Sequence, residues 1–274
     1  MLVERLISEG WPVWALCLMQ SSADELARLG ASVAAVLDVT DHAAILAIAA
    51  RCSRECPDGI HALVNNAGVG CGAHLEWASA PAIMATVNVN LVGLIFMTQA
   101  FLPLLRLSGR GRLVNVSSML GRIGVPGLAV YCATKHGVEG FSDAVRQEMK
   151  PFGVTVSIIE PGFMQTPIVH DAYERLVEAY KGAPAHIREA YGDLYVASLR
   201  EQVITATVDN AGDPIDVLNA MMHAVTAASP RARYAIGTDM MMARIASMMP
   251  AQVSDWLQGI GKSTVIPSGA KPRL

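Results

Sequence analysis

The stretch GRLVNVSSMLGRIGVPGLAVYCATK, residues 111–135, decides how this chain is built. Its opening run RLVNV, residues 112–116, is short and apolar, as in a parallel strand buried on both faces. Two serines end the run, and from about residue 128 the apolar spacing takes the period of a helix. Tyr131 and Lys135 stand four apart near the start of that helix, so their side chains share one face. A free tyrosine has a pKa of about 10 and is a poor base at neutral pH. A neighbouring ammonium favours the phenolate and makes the pair a usable acid and base. Ser118 closes the strand, at the edge where open α/β sheets bind ligands. Its hydroxyl can hold a carbonyl or alcohol oxygen beside the phenol. The Tyr-x-x-x-Lys spacing alone recurs by chance on many helices; the strand, the serines and Gly121 before it give this one its weight.

Working outward, the same alternation continues. Residues 12–18, 32–37, 60–65 and 154–159 are further strand-like runs, and helical spacing covers about 22–29, 41–55, 80–106 and 128–150. A last helix near 213–228 leads to a strand at 233–236. Asp41 and Ser79 are placed as helix N-caps, and Gly10, Gly30 and Gly153 fall where a helix ends before a strand. Alternating strands and helices with short connections predict an α/β fold: a doubly wound parallel sheet covered on both faces. No linker, repeat or composition shift divides the chain, so residues 1–274 are read as a single domain. The chain starts in mid-helix, with Leu2, Leu6 and Ile7 forming an apolar stripe that leads to Gly10. A doubly wound dinucleotide fold opens with a strand and a glycine-rich turn feeding that helix. Neither precedes Leu2 here, so the sheet is expected to lack its first strand, between the runs at 32–37 and 60–65.

Composition narrows the function. With Lys plus Arg at 21 and Asp plus Glu at 24, the net charge is −3, and only 16% of residues are charged. That balance gives no footprint for nucleic acid. Apolar residues make up 52%, enough for a sizeable core and too many for a disordered chain. Cysteines 17, 52, 56, 71 and 132 are too scattered for a disulfide framework and have no metal-ligand spacing with the histidines, so no metal is expected. Glu4, Arg5 and Glu9 interrupt the N-terminus, which carries no signal-peptide core. No window reaches about 18 uncharged apolar residues, and membrane association is not indicated. The nearest approach, the Met-rich stretch 236–260, is read as core or lid packing; its part 240–249 alternatively lines an apolar pocket. Trp11, Trp14 and Trp77 are read as packing groups and His136 as a surface residue.

The motifs NNAG (65–68), NLVG (90–93), GRLVNVSS (111–118), YCATK (131–135) and EPGFMQT (160–166) stand in the order and spacing of the short-chain dehydrogenase/reductase family. The chain resembles that family along essentially its whole length. In detail, 111–163 and 223–234 are similar to the subgroup holding 3-hydroxybutyrate dehydrogenase type 1 and the retinol and hydroxysteroid dehydrogenases. The resemblance implies a Rossmann-like fold and a nicotinamide cofactor. It gives Tyr131 the role of proton donor and acceptor, and Lys135 that of its charge partner and ribose contact. Ser118 becomes the partner of the substrate oxygen, with Ser117 the alternative, and Asn90 supports a water near the lysine. Asn65, Ala67 and Gly68 form the turn beside the cofactor, where small residues let backbone approach a ligand. Asp38 matches an adenine contact, with a helix cap as the other reading. Pro161, Gly162 and Thr166 match the loop closing over the nicotinamide.

The implied reaction is hydride transfer between the cofactor and a small-molecule alcohol or ketone. An apolar secondary or allylic alcohol of steroid or retinol type comes first, and a 3-hydroxy acid second. The substrate wall is placed at about 166–214, where Tyr173, Leu176, Val177, Tyr180, Tyr191, Leu194 and Tyr195 occur. Lys181, Arg188 and Arg200 there could pair a carboxylate instead. Cys17 holds the place where many members carry an acidic residue, and no arginine nearby offers a site for a 2′-phosphate. NAD is therefore expected over NADP. A homo-oligomer, dimer or tetramer, and a cytoplasmic location are also expected. The departure is at the start, where the family's Thr-Gly-x-x-x-Gly-x-Gly turn does not occur; GVGCGA at 68–73 follows a different strand and does not replace it. On that ground residues 1–274 alone are expected to bind no NAD and to be poorly soluble, as a non-enzymatic truncated homologue would be. A start placed too late is the other reading of the same departure.

Overall fold

Strands β1 (Trp14–Cys17), β2 (Val33–Val36), β3 (Ala62–Asn65), β4 (Arg112–Val116), β5 (Thr155–Pro161) and β6 (Arg233–Ile236) alternate with helices along the chain. The computed structural model describes residues 1–70, 72–166, 171–205, 211–259 and 265–270. Cys71, His170 and parts of the expected substrate wall (167–170 and 206–210) lie outside the described residues. The helices are α1 (Leu2–Ser8), α2 (Gln20–Arg28), α3 (His42–Glu55), α4 (Ala80–Val87), α5 (Leu94–Leu107), α6 (Ala129–Met149), α7 (Ala172–Gly182), α8 (Ala185–Tyr191), α9 (Asp193–Ile204), α10 (Pro214–Thr226), α11 (Thr238–Ser247) and α12 (Ala251–Gly259). Asp41 and Ser79 cap α3 and α4 through their side chains, accepting the N–H groups of Ala44 and Ala82. Gly10 and Gly30 take φ of +83° and +97° at the turns into β1 and β2, a region open to glycine at little cost.

Every ladder is parallel, as the apolar runs require. β3, β4, β5 and β6 pair in that order, with Asn65 beside Asn115 and Asn115 beside Ile158. Adjacent residues of β4 face opposite layers. Leu113 packs with Ile45, Met97, Phe101, Leu105 and Val145 of α3, α5 and α6, whereas Val114 packs with Leu6, Met221 and Val225 of α1 and α10. The sheet is thus doubly wound.

β1 and β2 form a separate two-stranded ladder with no hydrogen bond to β3. The ring of Trp11, just before β1, lies 5.0 Å from that of His61, just before β3. The break therefore falls between 14–17 and 62–65, not between 32–37 and 60–65 as the sequence reading placed it. The reason is strand order: β2 crosses over to the far side of β1.

A second correction concerns the long apolar run. Residues Ala80–Leu107 form one helical rod that is long and apolar enough to cross a membrane by length and composition, contrary to the sequence reading. Here its apolar face serves the core, with Met97, Phe101, Leu104 and Leu105 buried. Thr98 and Asn90 on the rod are buried too and hydrogen-bonded within the fold. Between α4 and α5 the rod widens to a π-helical turn, Asn88–Gly93, a feature that often marks functional positions.

Gly93 ends that turn against the backbone of Val39; a Cβ there would stand 2.6 Å from the Val39 carbonyl oxygen. Gly140, inside α6, has open space where a Cβ would go. Gly93→Ala is expected to cost about 1–3 kcal/mol by overpacking. Gly140→Ala is expected to gain about 0.5–1 kcal/mol from helix propensity. Urea unfolding of the two variants checks the opposite signs.

Candidate active site

Four segments meet at the carboxyl edge of β3, β4 and β5. α6 supplies Tyr131, Lys135 and Glu139 at i, i+4 and i+8. The extended end of β4 supplies Ser117 and Ser118. The turn after β3 supplies 66–69, and the π-helical turn supplies Asn90.

The two serines part ways. Ser118 lies beside the Tyr131 hydroxyl, where it favours the phenolate, and its Oγ accepts the Leu120 N–H at 3.2 Å. Ser117 points inward, donating to the Lys135 carbonyl at 3.4 Å and facing the Glu139 carboxylate. Ser118 is the serine available to a substrate.

Lys135 is buried, and its ammonium donates to the Val116 carbonyl at 2.9 Å. Its Nζ lies 5.6 Å from the centre of the Tyr131 ring. Burial brings its pKa down to about 8, opposed by the negative charge of Glu139. Burial pushes the Tyr131 phenol up to about 12; the Ser118 hydrogen bond works the other way, and Cys132 adds to the rise. The sequence reading expected the ammonium to favour the phenolate. In the folded chain burial is the largest influence on the phenol, and the ammonium donates to a backbone carbonyl.

Asn90 clamps the turn after β3. Its Oδ1 accepts the Val69 N–H at 2.8 Å, and its Nδ2 donates to the Val69 carbonyl at 2.9 Å. Asn65 is buried, with its two amide hydrogens given to Thr98 and Asn115 at 2.9 Å each. Asn66, Ala67 and Gly68 are exposed. A Cβ on Gly68 would lie 3.5 Å from Asn90 Oδ1 and 3.9 Å from Lys135 Nζ. This small, open turn beside a buried ammonium fits the ribose and nicotinamide end of a dinucleotide. Asp38, at the end of β2, accepts the N–H and hydroxyl of Thr40 through Oδ1, each at 2.8 Å. The cap of α3 is Asp41, so Asp38 does not serve as the helix cap.

The C-terminal part closes the site, which the sequence reading did not foresee in detail. Asp239, at the start of α11, accepts the Phe163 N–H at 2.7 Å and so pins the loop that runs from Pro161 through Gly162 to Thr166. A Cβ on Gly162 would collide with the Asp239 carboxylate, so glycine is required there. Met240 and Ala243 of α11 pack on Met119, Leu120 and Cys132, with Tyr131 and Phe163 at the margin. The signal was present as Gly162 and as Gly237-x-Asp239, but nothing local joins segments so far apart. The expected wall residues Leu176, Tyr180, Tyr191 and Tyr195 gather around Trp77 and His74 in one cluster, and Leu194 is 83% exposed.

Comparison with known proteins agrees with this geometry. The family model for short chain dehydrogenases matches residues 1–176. Human 17-beta-hydroxysteroid dehydrogenase type 6 is 36% identical over 264 residues, covering 94% of this chain and 83% of that protein. Retinol dehydrogenase 5 of Mus musculus is 37% identical over 263 residues, covering 93% and 82%. The crystal structure of a short-chain dehydrogenase from Streptomyces avermitilis superposes with a TM-score of 0.74 at 26% identity, covering 94% of this chain and 90% of that one. The chain belongs to the short-chain dehydrogenase family, whose members are oxidoreductases that use a nicotinamide cofactor.

The buried lysine has a stability cost. Its folded pKa of about 8 lies below the ordinary value of 10.5. The penalty is therefore full below pH 8 and is relieved as pH rises from 8 towards 10.5, where the folded chain has already released the proton. Lys135→Met is expected to be more stable than the parent at pH 7, with the advantage shrinking across that window. Thermal melts at pH 7 and pH 9.5 read the difference.

Proposed function

We propose that the protein is an NAD-dependent alcohol dehydrogenase acting on an apolar secondary or allylic alcohol of hydroxysteroid or retinol type. One observation carries the reading: the Ser118 hydroxyl lies beside the Tyr131 phenol at the sheet edge, and the buried Lys135 ammonium is 5.6 Å from the ring centre. Ser118 holds the substrate oxygen, and Tyr131 exchanges its proton at the phenolic oxygen. Lys135 supplies positive charge beneath the phenol and a donor for the ribose. Gly68 and Ala67 give that ribose room, with Asn90 holding the turn in place and Asn65 anchoring it to the sheet. Pro161, Gly162 and Thr166 carry the loop towards the nicotinamide, and Asp38 stands at the adenine side. When bound, the cofactor accepts or returns hydride at its nicotinamide ring. Cys17 at the end of β1 supports NAD over NADP, since it brings no cation for a 2′-phosphate.

The apolar substrate is supported by the apolar surroundings of Tyr131, which packs with Met119, Phe163 and Met240, and by the names of the relatives. The hydroxy-acid reading has less behind it, because Lys181 is paired with Glu178 at 2.9 Å. Turnover on a hydroxysteroid, retinol and 3-hydroxybutyrate, with NAD and with NADP, tests both choices. Preference for 3-hydroxybutyrate would overturn the substrate assignment.

In an enzyme reconstituted with the strand and glycine-rich turn ahead of Leu2, Tyr131→Phe is expected to lower turnover by about 10²–10⁴-fold while NAD binding persists. Ser118→Ala is expected to reduce activity far more than Ser117→Ala, whose hydroxyl faces Glu139 and the Lys135 carbonyl. With the phenol raised to about 12, its resting form is the acid. Alcohol oxidation is therefore expected to quicken as pH rises from neutrality, until Lys135 loses its charge. Initial rates between pH 6 and 10 check both the residues and the direction.

A further inference from the structure

Beneath the site lies a buried group of charges that the reaction as described does not use. Glu139 is one helical turn beyond Lys135 on the same face of α6 and is buried, as is Glu160 of β5. Arg233 of β6 donates through Nη1 to both carboxylates, and through Nη2 to Asp143 of α6. Arg122, after the turn that follows Ser118, donates to Glu160 at 2.6 Å and 3.0 Å and lies 3.5 Å from Glu139. Both guanidinium groups hold Glu139 through Oε2, while its Oε1 is buried without a hydrogen bond of normal geometry. That carboxylate stands one helical turn from the ammonium and also faces the Ser117 hydroxyl.

The other groups around Lys135 do not take this part. Tyr131 on α6 is neutral near pH 7, the π-helical turn brings only Asn90, and β4 brings the Ser117 hydroxyl and the Val116 carbonyl. Asp239 of α11 is spent on the N–H groups of Phe163 and Met240. Asp143 is half exposed and bound to Arg146 and Arg233.

We propose that Glu139 is a positioning residue of this site: a buried counter-charge, fixed by Arg233 and Arg122, that keeps the Lys135 ammonium charged beneath Tyr131. A buried ammonium without an opposite charge gives up its proton, because desolvation penalises the charged form. Glu139 is the negative group whose charge acts on Lys135 against that penalty. Burial and Glu160 in turn raise the Glu139 pKa, while Ser117 and Arg233 oppose the rise and keep it available as a carboxylate. β5 and β6 thus reach the catalytic lysine through one side chain.

The test uses Glu139→Gln in the full chain, with Asp143→Asn as the comparison. Proton titration of lysine labelled with ¹³C at Cε, with Lys135→Arg identifying the Lys135 signal, reads the lysine without substrate. The Lys135 midpoint is expected to fall by about one pH unit or more in Glu139→Gln, and to stay put in Asp143→Asn. The kinetic arm rests on the alcohol-dehydrogenase reading. In ketone reduction the resting Tyr131 is already the acid at every pH assayed, so the falling alkaline limb of kcat/KM reports Lys135 and is expected to move acidward equally. A chain that reduces no ketone would sink that reading, and the titration would still decide the role of Glu139. Removing one partner of a buried ion pair is costly. Should Glu139→Gln not fold, Glu139→Gln/Arg233→Gln removes the stranded guanidinium as well, with the same shift expected. A folded variant with an unmoved Lys135 midpoint, or an equal shift in Asp143→Asn, overturns the proposal.

Discussion

The parallel register of β3, β4 and β5 is the constraint on which the site depends. Asn65, Asn115 and Ile158 lie side by side, so the chain leaves all three strands at one edge. The turn 66–69, the serines 117–118 and the loop from Gly162 are thereby delivered to one place. A buried side-chain ladder fixes the register further: Asn65 donates to Asn115 and Thr98, and Asn115 donates to Ser142. Those bonds tie two strands to α5 and α6. A slip of one residue would strand several buried amides, each costing about 1–3 kcal/mol. The same slip would part Ser118 from Tyr131.

On this frame α6 is the element that turns fold into chemistry. One face carries Tyr131, Lys135 and Glu139, and burying that face raises the phenol and lowers the ammonium. Desolvation opposes both charged forms at once, so the site works only if nearby partners restore charge where it is needed. Ser118 does so for the phenol. Charge balance in the interior reaches across the sheet to β5 and β6, where the half-buried Arg233 holds the fully buried Glu160. α11 adds apolar packing, anchored through Asp239 to the backbone of Phe163.

Much of this was legible in the chain. Short β-branched runs separated by helical spacing reveal parallel strands and their order in sequence, because both periods are local. Asp41, Ser79, Gly10 and Gly30 marked helix ends for equally local reasons. Tyr131, Lys135 and Ser118 were legible because a helix turn and a strand end set their spacing. Glu139 was in the same quoted helix, yet its partners Arg122, Glu160 and Arg233 come from three other segments. That the aromatic residues after 172 pack around Trp77 was not legible, since aromatic residues that line a cavity and those that pack on each other look alike in sequence.

The sequence by itself determined the class of fold, the family and the placing of Tyr131 and Lys135 on one helix face, because these rest on periodicity and on spacings within single elements. Only the tertiary structure decided which serine faces the phenol and where the ladder breaks. It also decided that burial raises the Tyr131 phenol and lowers the Lys135 ammonium. Each of those depends on distances between segments far apart in the chain and on how much water their packing excludes. Neither quantity is written in any local pattern of residues.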